Sequence, residues 1–329
     1  MTEKYSDFPA FLKAMKGKRL LHIGHKHADC DALGSAYAMS RLLPGDLGST
    51  LELKTQAHSV AKWLDLEWIE DPDPTNYEFT IIYDTVKSDM LGVPVPARYA
   101  IFDHHESGGH RFSTLHNELA DAAEWGWVKP FDSTCSLLVD LFQKHGIPID
   151  HKMGVALAAG IVTDTGRLRQ AHAPALQRLA IALQAANMHV EDILAVIEPR
   201  EVRNSRRPAV LHSLRNIREI NHRGWSFFVS EIDSHDNSFV VSDALIQFGC
   251  DLAVVGFPKW EQSMVITAAT AEMVQKTGID LGGLMKELAP EVNATEAWGS
   301  RAAGRIIAPI PADDLVDRCV QSTIESLES

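Results

Sequence analysis

Thiol pairs are what this sequence most plainly lacks. Four cysteines (Cys30, Cys135, Cys250 and Cys319) are scattered over 329 residues without a CxxC spacing. That excludes a disulfide framework and a structural zinc knuckle. No apolar run approaches the ~18 residues that a membrane span needs, so no membrane partner is expected. The N-terminal stretch MTEKYSDFPAFLKAMKGKRLL mixes acids with its bases and has no long apolar segment, unlike a signal peptide; a cytoplasmic location is expected. An excess of basic charge is missing too, since the formal net charge is −13. A largely acidic surface repels polyanions, which argues against long duplex nucleic acid and leaves room for short phosphorylated ligands. There is no internal repeat and no low-complexity segment.

What is present is ordinary globular composition, 45% apolar and 23% charged, with fifteen histidines, several of them beside acids. The length suggests about two domains. Three stretches share one pattern, an apolar strand that ends in polar residues: KRLLHIGH (18–25), FTIIYDT (79–85) and RYAIFDHHE (98–106). DALGSAYAMSRLL (31–43) reads as the helix after the first of them, which makes a βα unit. TCSLLVDLFQKHG (134–146), closed by Gly146, reads as a helix. So do HKMGVALAAGIVTDTG (151–166) and APALQRLAIALQAANM (173–188). Near residues 190–222 the chain turns charged and basic. Beyond it, GWSFFVSEI, CDLAVVGFP and SMVITAAT read as strands, and GIDLGGLMKELAP as a helix stopped by Pro290. The expected architecture is α/β: an N-terminal parallel-sheet domain (1–190), a linker (191–222) and a smaller mixed α/β domain (223–329), with a cleft between the domains.

Four clusters in the first domain fall where strands are expected to end: His25, Asp29 and Asp31 in HKHADCDALGS; Asp84 in IIYDT; Asp103, His104 and His105; and Asp164 in GIVTDTG. Open α/β sheets bind ligands beyond the carboxyl ends of their strands, so the four are expected to converge. Adjacent residues of a strand face opposite ways, so His104 and His105 would reach two places. Grouped carboxylates repel one another unless divalent cations lie between them. Oxygen and imidazole donors without thiolate suit Mn²⁺ better than structural zinc, with Mg²⁺ or Co²⁺ as alternatives. Two such ions bridged by one carboxylate can activate a water and neutralise phosphoryl oxygens. The plainer reading makes Asp29 and Asp31 helix N-cap acids, the other acids turn residues and the histidines core residues.

These residues resemble the DHH phosphoesterase family, of the RecJ-like and nanoRNase-like kind. HKHADCDALGS is similar to the family's first motif, YDT to the second, DHH to the third and GIVTDTG to the fourth. FDSTCSLLVDLF is similar to the family's Ser/Thr-rich helix start. The resemblance implies that His25, Asp29 and Asp84 bind one metal ion. It implies that Asp31, Asp84, His104 and Asp164 bind the other, with Asp84 bridging. His105 would face the substrate phosphate, and Asp103 would orient one of the two histidines. Asp84, His105 and Asp103 are thus the expected catalytic group.

The second domain resembles the family's associated domain, whose Gly-rich loop, roughly GGGH-x2-AAG, meets substrate. Here the stretch is EAWGSRAAG. The family histidine aligns with Gly299; Glu296, Ala297 and Trp298 replace the preceding glycines; and an arginine usual in the family is missing from ITAAT. Ser300, Arg301 and the indole of Trp298 are expected to supply substrate contacts in their place, with Arg167 as a further phosphate contact. His27, Cys30, Arg169 and the linker arginines Arg203, Arg206 and Arg207 read better as surface or filler residues. The function implied is a two-metal phosphoesterase acting on a small phosphorylated nucleotide or short single-stranded oligonucleotide. The alternatives are pyrophosphate or polyphosphate hydrolysis, or non-catalytic sensing of a phosphorylated metabolite. The sequence leaves the oligomeric state open, a homodimer included.

Overall fold

Leu20-Leu21-His22-Ile23 is a short run with all four side chains buried, as expected of a strand with helices on both faces. In the computed structural model, which describes residues 4–49, 53–105, 118–233, 238–259 and 261–328, it is one of seven strands of a first sheet. Glu106, the acid expected behind the paired histidines, lies outside the described residues. The strands are β1 (Lys4–Tyr5), β2 (Leu20–Ile23), β3 (Asp46–Ser49), β4 (Ile69–Glu70), β5 (Phe79–Tyr83), β6 (Tyr99–Asp103) and β7 (Trp125–Val128). Their order is β1-β7-β6-β5-β2-β3-β4. All neighbours are parallel except the antiparallel edge pair β1–β7. Strand order reverses between β2 and β5, so the carboxyl ends of those two strands form the switch point where such sheets bind ligands.

The helices of this unit are α1 (Phe8–Met15), α2 (Cys30–Leu42), α3 (Thr55–Leu64), α4 (Glu118–Ala122), α5 (Thr134–Lys144), α6 (His151–Asp164), α7 (Ala173–Ala186) and α8 (Val190–Ile197). Period-two alternation sends Ile81, Tyr83, Ala100 and Phe102 to one core with α2, α5 and α6. Ile82, Tyr99 and Ile101 go to a second core on the other face. Backbones of α2 and α6 touch because both carry glycine at the crossing. A Cβ on Gly34 would stand 2.4 Å from the Ala156 carbonyl, and one on Gly160 would stand 2.4 Å from Cys135 Sγ.

The chain divides into two compact units, Met1–Arg200 and Glu201–Ser329. The stretch expected as a linker, 191–222, is shared between them. Ile193, Val196 and Ile197 of α8 are buried in the first core. After α9 (Arg200–Arg215), β8 (Arg218–His222) is the edge strand of the second sheet. Its charge comes from exposed faces of these elements.

In the second unit, β9 (Trp225–Glu231), α10 (Ser238–Gln247), β10 (Leu252–Lys259), β11 (Gln262–Ala269), α11 (Ala271–Thr277), α12 (Leu281–Leu288), β12 (Glu296–Ser300), β13 (Ala303–Ala308) and α13 (Ala312–Glu328) complete a mixed sheet of order β12-β13-β11-β10-β9-β8. Leu281, Met285, Val316 and Cys319 pack on one face; Val241 and Leu245 pack on the other. EAWGSRAAG, expected as a substrate loop, is a tight hairpin, with Ser300 paired to Ala303 across Arg301 and Ala302. Close packing requires it: a Cβ on Gly299 would fall 2.2 Å from the Ala303 carbonyl and 3.0 Å from Gly282 Cα of α12. A histidine at position 299 would have no room. Among the described residues no single helix is long and apolar enough to cross a membrane.

Candidate functional site

Each strand end at the switch point places one part of the site. After β2 the chain turns through His25 to Asp29, whose carboxylate caps α2 by accepting from the N–H groups of Asp31 and Ala32 at 3.1 and 3.3 Å. Asp29 is therefore the N-cap of the plainer reading and also part of the cluster. Directly after β5, Asp84 adopts a left-handed backbone, φ 60°, while its N–H donates to the Phe102 carbonyl at 2.9 Å. Strained non-glycine conformations of this kind persist where the surroundings hold them, and they gather at functional sites. Beyond β6 come His104 and His105. Asp164 arrives differently from the strand-end position expected: it is the last residue of helix α6.

The side chains converge. His25 Nε2 lies 3.7 Å from Asp29 Oδ2 and 3.6 Å from Asp84 Oδ2. His104 Nε2 lies 3.3 Å from Asp84 Oδ1, 3.1 Å from Asp164 Oδ2 and 3.9 Å from Asp31 Oδ2. The two oxygens of Asp84 thus face two different sets of donors. In three overlapping groups (His25, Asp29, Asp84; Asp31, His104, Asp164; Asp84, His104, His105) the donor atoms lie within 4.8 Å of one another, close enough to hold a metal ion. The two histidines do not diverge as strand alternation suggests. The strand stops at Asp103, and their rings sit 4.4 Å apart with His105 Nδ1 3.6 Å from Asp84 Oδ1.

Hydrogen bonds fix the rings. His104 Nδ1–H donates to the Phe131 carbonyl at 3.1 Å, which turns Nε2 toward the acids. His105 Nδ1–H donates to Asp103 Oδ1 at 2.8 Å, leaving Nε2 for another partner, with the side chain half-exposed. Asp103 itself is fully buried, and its Oδ2 has no hydrogen-bond partner among the described residues. His25 Nδ1 accepts weakly from the His27 N–H at 3.3 Å. Coordination through Nε2 would move the ring proton to Nδ1 and give up that bond.

The charge balance is uneven. Burial, then the neighbouring Asp164, pushes Asp31 up to about 7. Burial, then Asp31, raises Asp84 well above the carboxylate range. Burial would raise Asp29 as well, but His25 and Lys54 outweigh it and hold that carboxyl low. Lys54, whose Nζ is 3.0 Å from Asp29 Oδ2, had no signal in the sequence. Burial lowers His104, and bonds to Asp164 and Asp84 more than reverse that. Four carboxylates drawn together, two of them buried against their own ionisation, call for added positive charge. Burial also raises the thiols of Cys30 and Cys135, so neither is a thiolate donor. An oxygen and imidazole donor set fits a divalent ion of the Mn²⁺ or Mg²⁺ kind.

Residues 131–135 brace the cluster. Thr134 N and Cys135 N, at the start of α5, donate to the two oxygens of Asp31 at 2.6 and 2.8 Å; Thr134 Oγ1 donates to Asp84 Oδ1 at 3.3 Å. Only the Ser/Thr-rich helix start pointed to them. Of the expected substrate contacts, Arg167 pairs its guanidinium with Glu198. Ser300, Arg301 and Trp298 all belong to the second unit and are exposed. Arg305 lies over the Trp298 ring at 5.2 Å. His27 is exposed and Cys30 is a buried filler.

Residues 19–161 match the DHH family, N-terminal domain. An uncharacterised protein of Methanocaldococcus jannaschii is 25% identical, over 89% of this chain and 88% of its own length. Among solved structures, an exopolyphosphatase-related protein from Bacteroides fragilis superposes with a TM-score of 0.71 at 15% identity, covering 97% of this chain and 95% of its own. The DHH domain of a member of the S1p family of ribosomal proteins gives 0.51 at 12% identity, over 99% and 94%. The fold is that of these DHH-family structures.

Proposed function

We propose that this protein is a two-metal phosphoesterase that hydrolyses a small phosphorylated nucleotide or short oligonucleotide. The observation that carries the reading is the divided carboxylate of Asp84, with one oxygen toward His25 and Asp29 and the other toward His104, Asp31 and Asp164. His25, Asp29 and Asp84 would hold one ion, and Asp31, Asp84, His104 and Asp164 the other. Ions held there, Mn²⁺ by donor type, supply an activated water and positive charge for the phosphoryl oxygens.

The chain's own groups do the rest. Burial lowers His105, but the bond to Asp103 and the charges of Asp103 and Asp84 more than reverse that and raise it to about 9, so the ring is held as the imidazolium and Nε2–H meets a phosphoryl or leaving oxygen as a hydrogen-bond donor. Lys54 orients Asp29 by bonding Oδ2, the oxygen that faces His25, while Oδ1 caps α2. Thr134 and Cys135 hold Asp31. The exposed Trp298 supports a nucleotide over an inorganic phosphate chain, since an indole face stacks a base at ~1–3 kcal/mol, and Ser300 and Arg301 stand in the same hairpin.

The test is phosphate or mononucleotide release by the purified protein with Mn²⁺. The panel is dinucleotides, 3′-phosphoadenosine 5′-phosphate, cyclic dinucleotides, pyrophosphate and short polyphosphate. Turnover of a nucleotide is expected. Turnover of pyrophosphate or polyphosphate alone would remove the nucleobase from the reading, and no turnover by metal-loaded protein would leave a binding role.

A further inference from the structure

Phe131, Asp132 and Ser133 precede α5 without regular structure, yet this segment and the first turn of the helix touch three members of the cluster. The Phe131 carbonyl accepts from His104 Nδ1–H, Thr134 and Cys135 N–H groups donate to Asp31, and the Thr134 hydroxyl donates to Asp84. Those three side chains come from three different elements, and the 131–135 backbone sets their relative placement. What fixes the backbone is on its far side. Arg178 of α7 lays its guanidinium carbon 4.5 Å over the Phe131 ring. Its terminal nitrogens lie 3.9 Å from Asp132 Oδ2 and 3.3 Å from Asp140 Oδ1, within α5 itself. His172, the residue before α7, bonds Asp132 from the other side at 2.8 Å. Arg178 Nε and Asp132 Oδ2 are buried without a hydrogen-bond partner among the described residues. A charged clamp this incompletely satisfied is a poor source of stability and is better explained by what it holds in place.

We infer that Arg178 is a positioning residue for the His104–Asp31 half of the site, acting through Phe131 and Asp132. The inference rests on the two-metal reading above. Groups that orient metal ligands from outside change metal affinity by ~10–100-fold when removed. Lysine cannot replace this arginine: an ammonium has no plane to stack on Phe131 and cannot reach both acids as a fork.

The experiment is a Mn²⁺ titration of the full chain, read by the paramagnetic resonance of free ion. Asp31→Asn and His25→Asn assign the two binding steps. Wild type is expected to bind two ions. Arg178→Met is expected to weaken the step lost in Asp31→Asn by ~10–100-fold and to leave the other within about twofold. Arg178→Lys is expected to weaken the same step and, since it retains the charge beside Asp132 and Asp140, to guard against a variant that fails to fold. Equal weakening of both steps, or two unchanged steps in either folded variant, would overturn the positioning role while the two-metal reading stands. A wild type that binds no ion would overturn both.

Discussion

At the scale of single residues, two histidines of the first unit show how environment sets role. His105 is held by Asp103, and the proposed reading assigns it to substrate rather than to either ion. His105→Asn is therefore expected to lower kcat by ~10²–10⁴-fold with Mn²⁺ stoichiometry intact. Asp84→Asn is expected to lose both ions, and with them about 4 kcal/mol of transition-state stabilisation, or about 10³-fold in rate. Calorimetric metal titration beside turnover separates the two; normal turnover by Asp84→Asn would exclude it as the shared ligand. His22 has no such role. Fully buried on β2, it donates from Nε2–H to the Leu43 carbonyl at 2.9 Å and accepts at Nδ1 from the Tyr83 hydroxyl at 2.8 Å, a pairing only the neutral ring makes. Burial pushes it down to about 4 from 6.5, against the smaller opposing pulls of Leu43 and Asp46. The unfolded chain then takes up the proton first as pH falls. His22 thus costs nothing above about pH 6.5, and between 6.5 and 4 the fold loses roughly 3 kcal/mol on its account. His22→Gln keeps a donor and an acceptor, so its urea stability should vary less with pH over that window than wild type. Parallel curves would show that His22 does not titrate there.

At the scale of elements, the site depends on how closely helices approach. α6 brings Asp164 to the cluster only because Gly160 lets it lie against α2 and α5; a Cβ there would stand 2.9 Å from Asp31 Oδ1 as well as against Cys135 Sγ. Gly160→Ala is expected to destabilise by ~1–3 kcal/mol in urea, through overpacking, and to weaken metal binding on the Asp31 side. A variant as stable as wild type would mean the crossing has slack. This crossing also marks where the sequence stopped being informative. Buried strands ending in acids were legible because a run such as FTIIYD carries its own signal, and the four clusters could be expected to converge from the rules of open sheets alone. That α6 lies close enough to carry Asp164 into the cluster, that both histidine rings turn to Asp84, and that Lys54 reaches Asp29 all depend on tertiary packing with no local pattern. Short strands such as β3, Asp-Leu-Gly-Ser, contradict strand propensity and form by pairing with β2 and β4. The EAWGSRAAG hairpin reads as a loop only through its resemblance to the family's Gly-rich motif, whereas here its glycines serve close backbone approach to α12.

At the scale of the whole molecule, charge decides how a substrate can be recognised at all. The chain carries a formal −13, and the candidate site adds four carboxylates of its own, answered among Lys and Arg only by Lys54 within the described residues. A phosphorylated ligand approaching metal-free protein meets like charge at the site and, on average, beyond it. Two divalent ions reverse the local sign without changing the surface, so binding should require metal and should engage one or two phosphates rather than a long track. For a single strand the salt slope per neutralised phosphate is ~0.7, so one or two contacts weaken binding less than about tenfold between 50 and 200 mM salt; six to ten contacts on a duplex would cost ~10³–10⁵-fold. A non-hydrolysable dinucleotide, followed by calorimetry across that salt range with Mn²⁺ and with chelator, checks both parts. The expected result is a shallow salt dependence with Mn²⁺ and at least ~100-fold weaker binding without it. Tight metal-free binding would mean that a basic surface hidden in the net charge does the recognising. A longer single strand that binds more tightly than the dinucleotide and with a steep salt dependence would mean that the substrate is a longer nucleic acid, whatever the acidity of the rest of the chain.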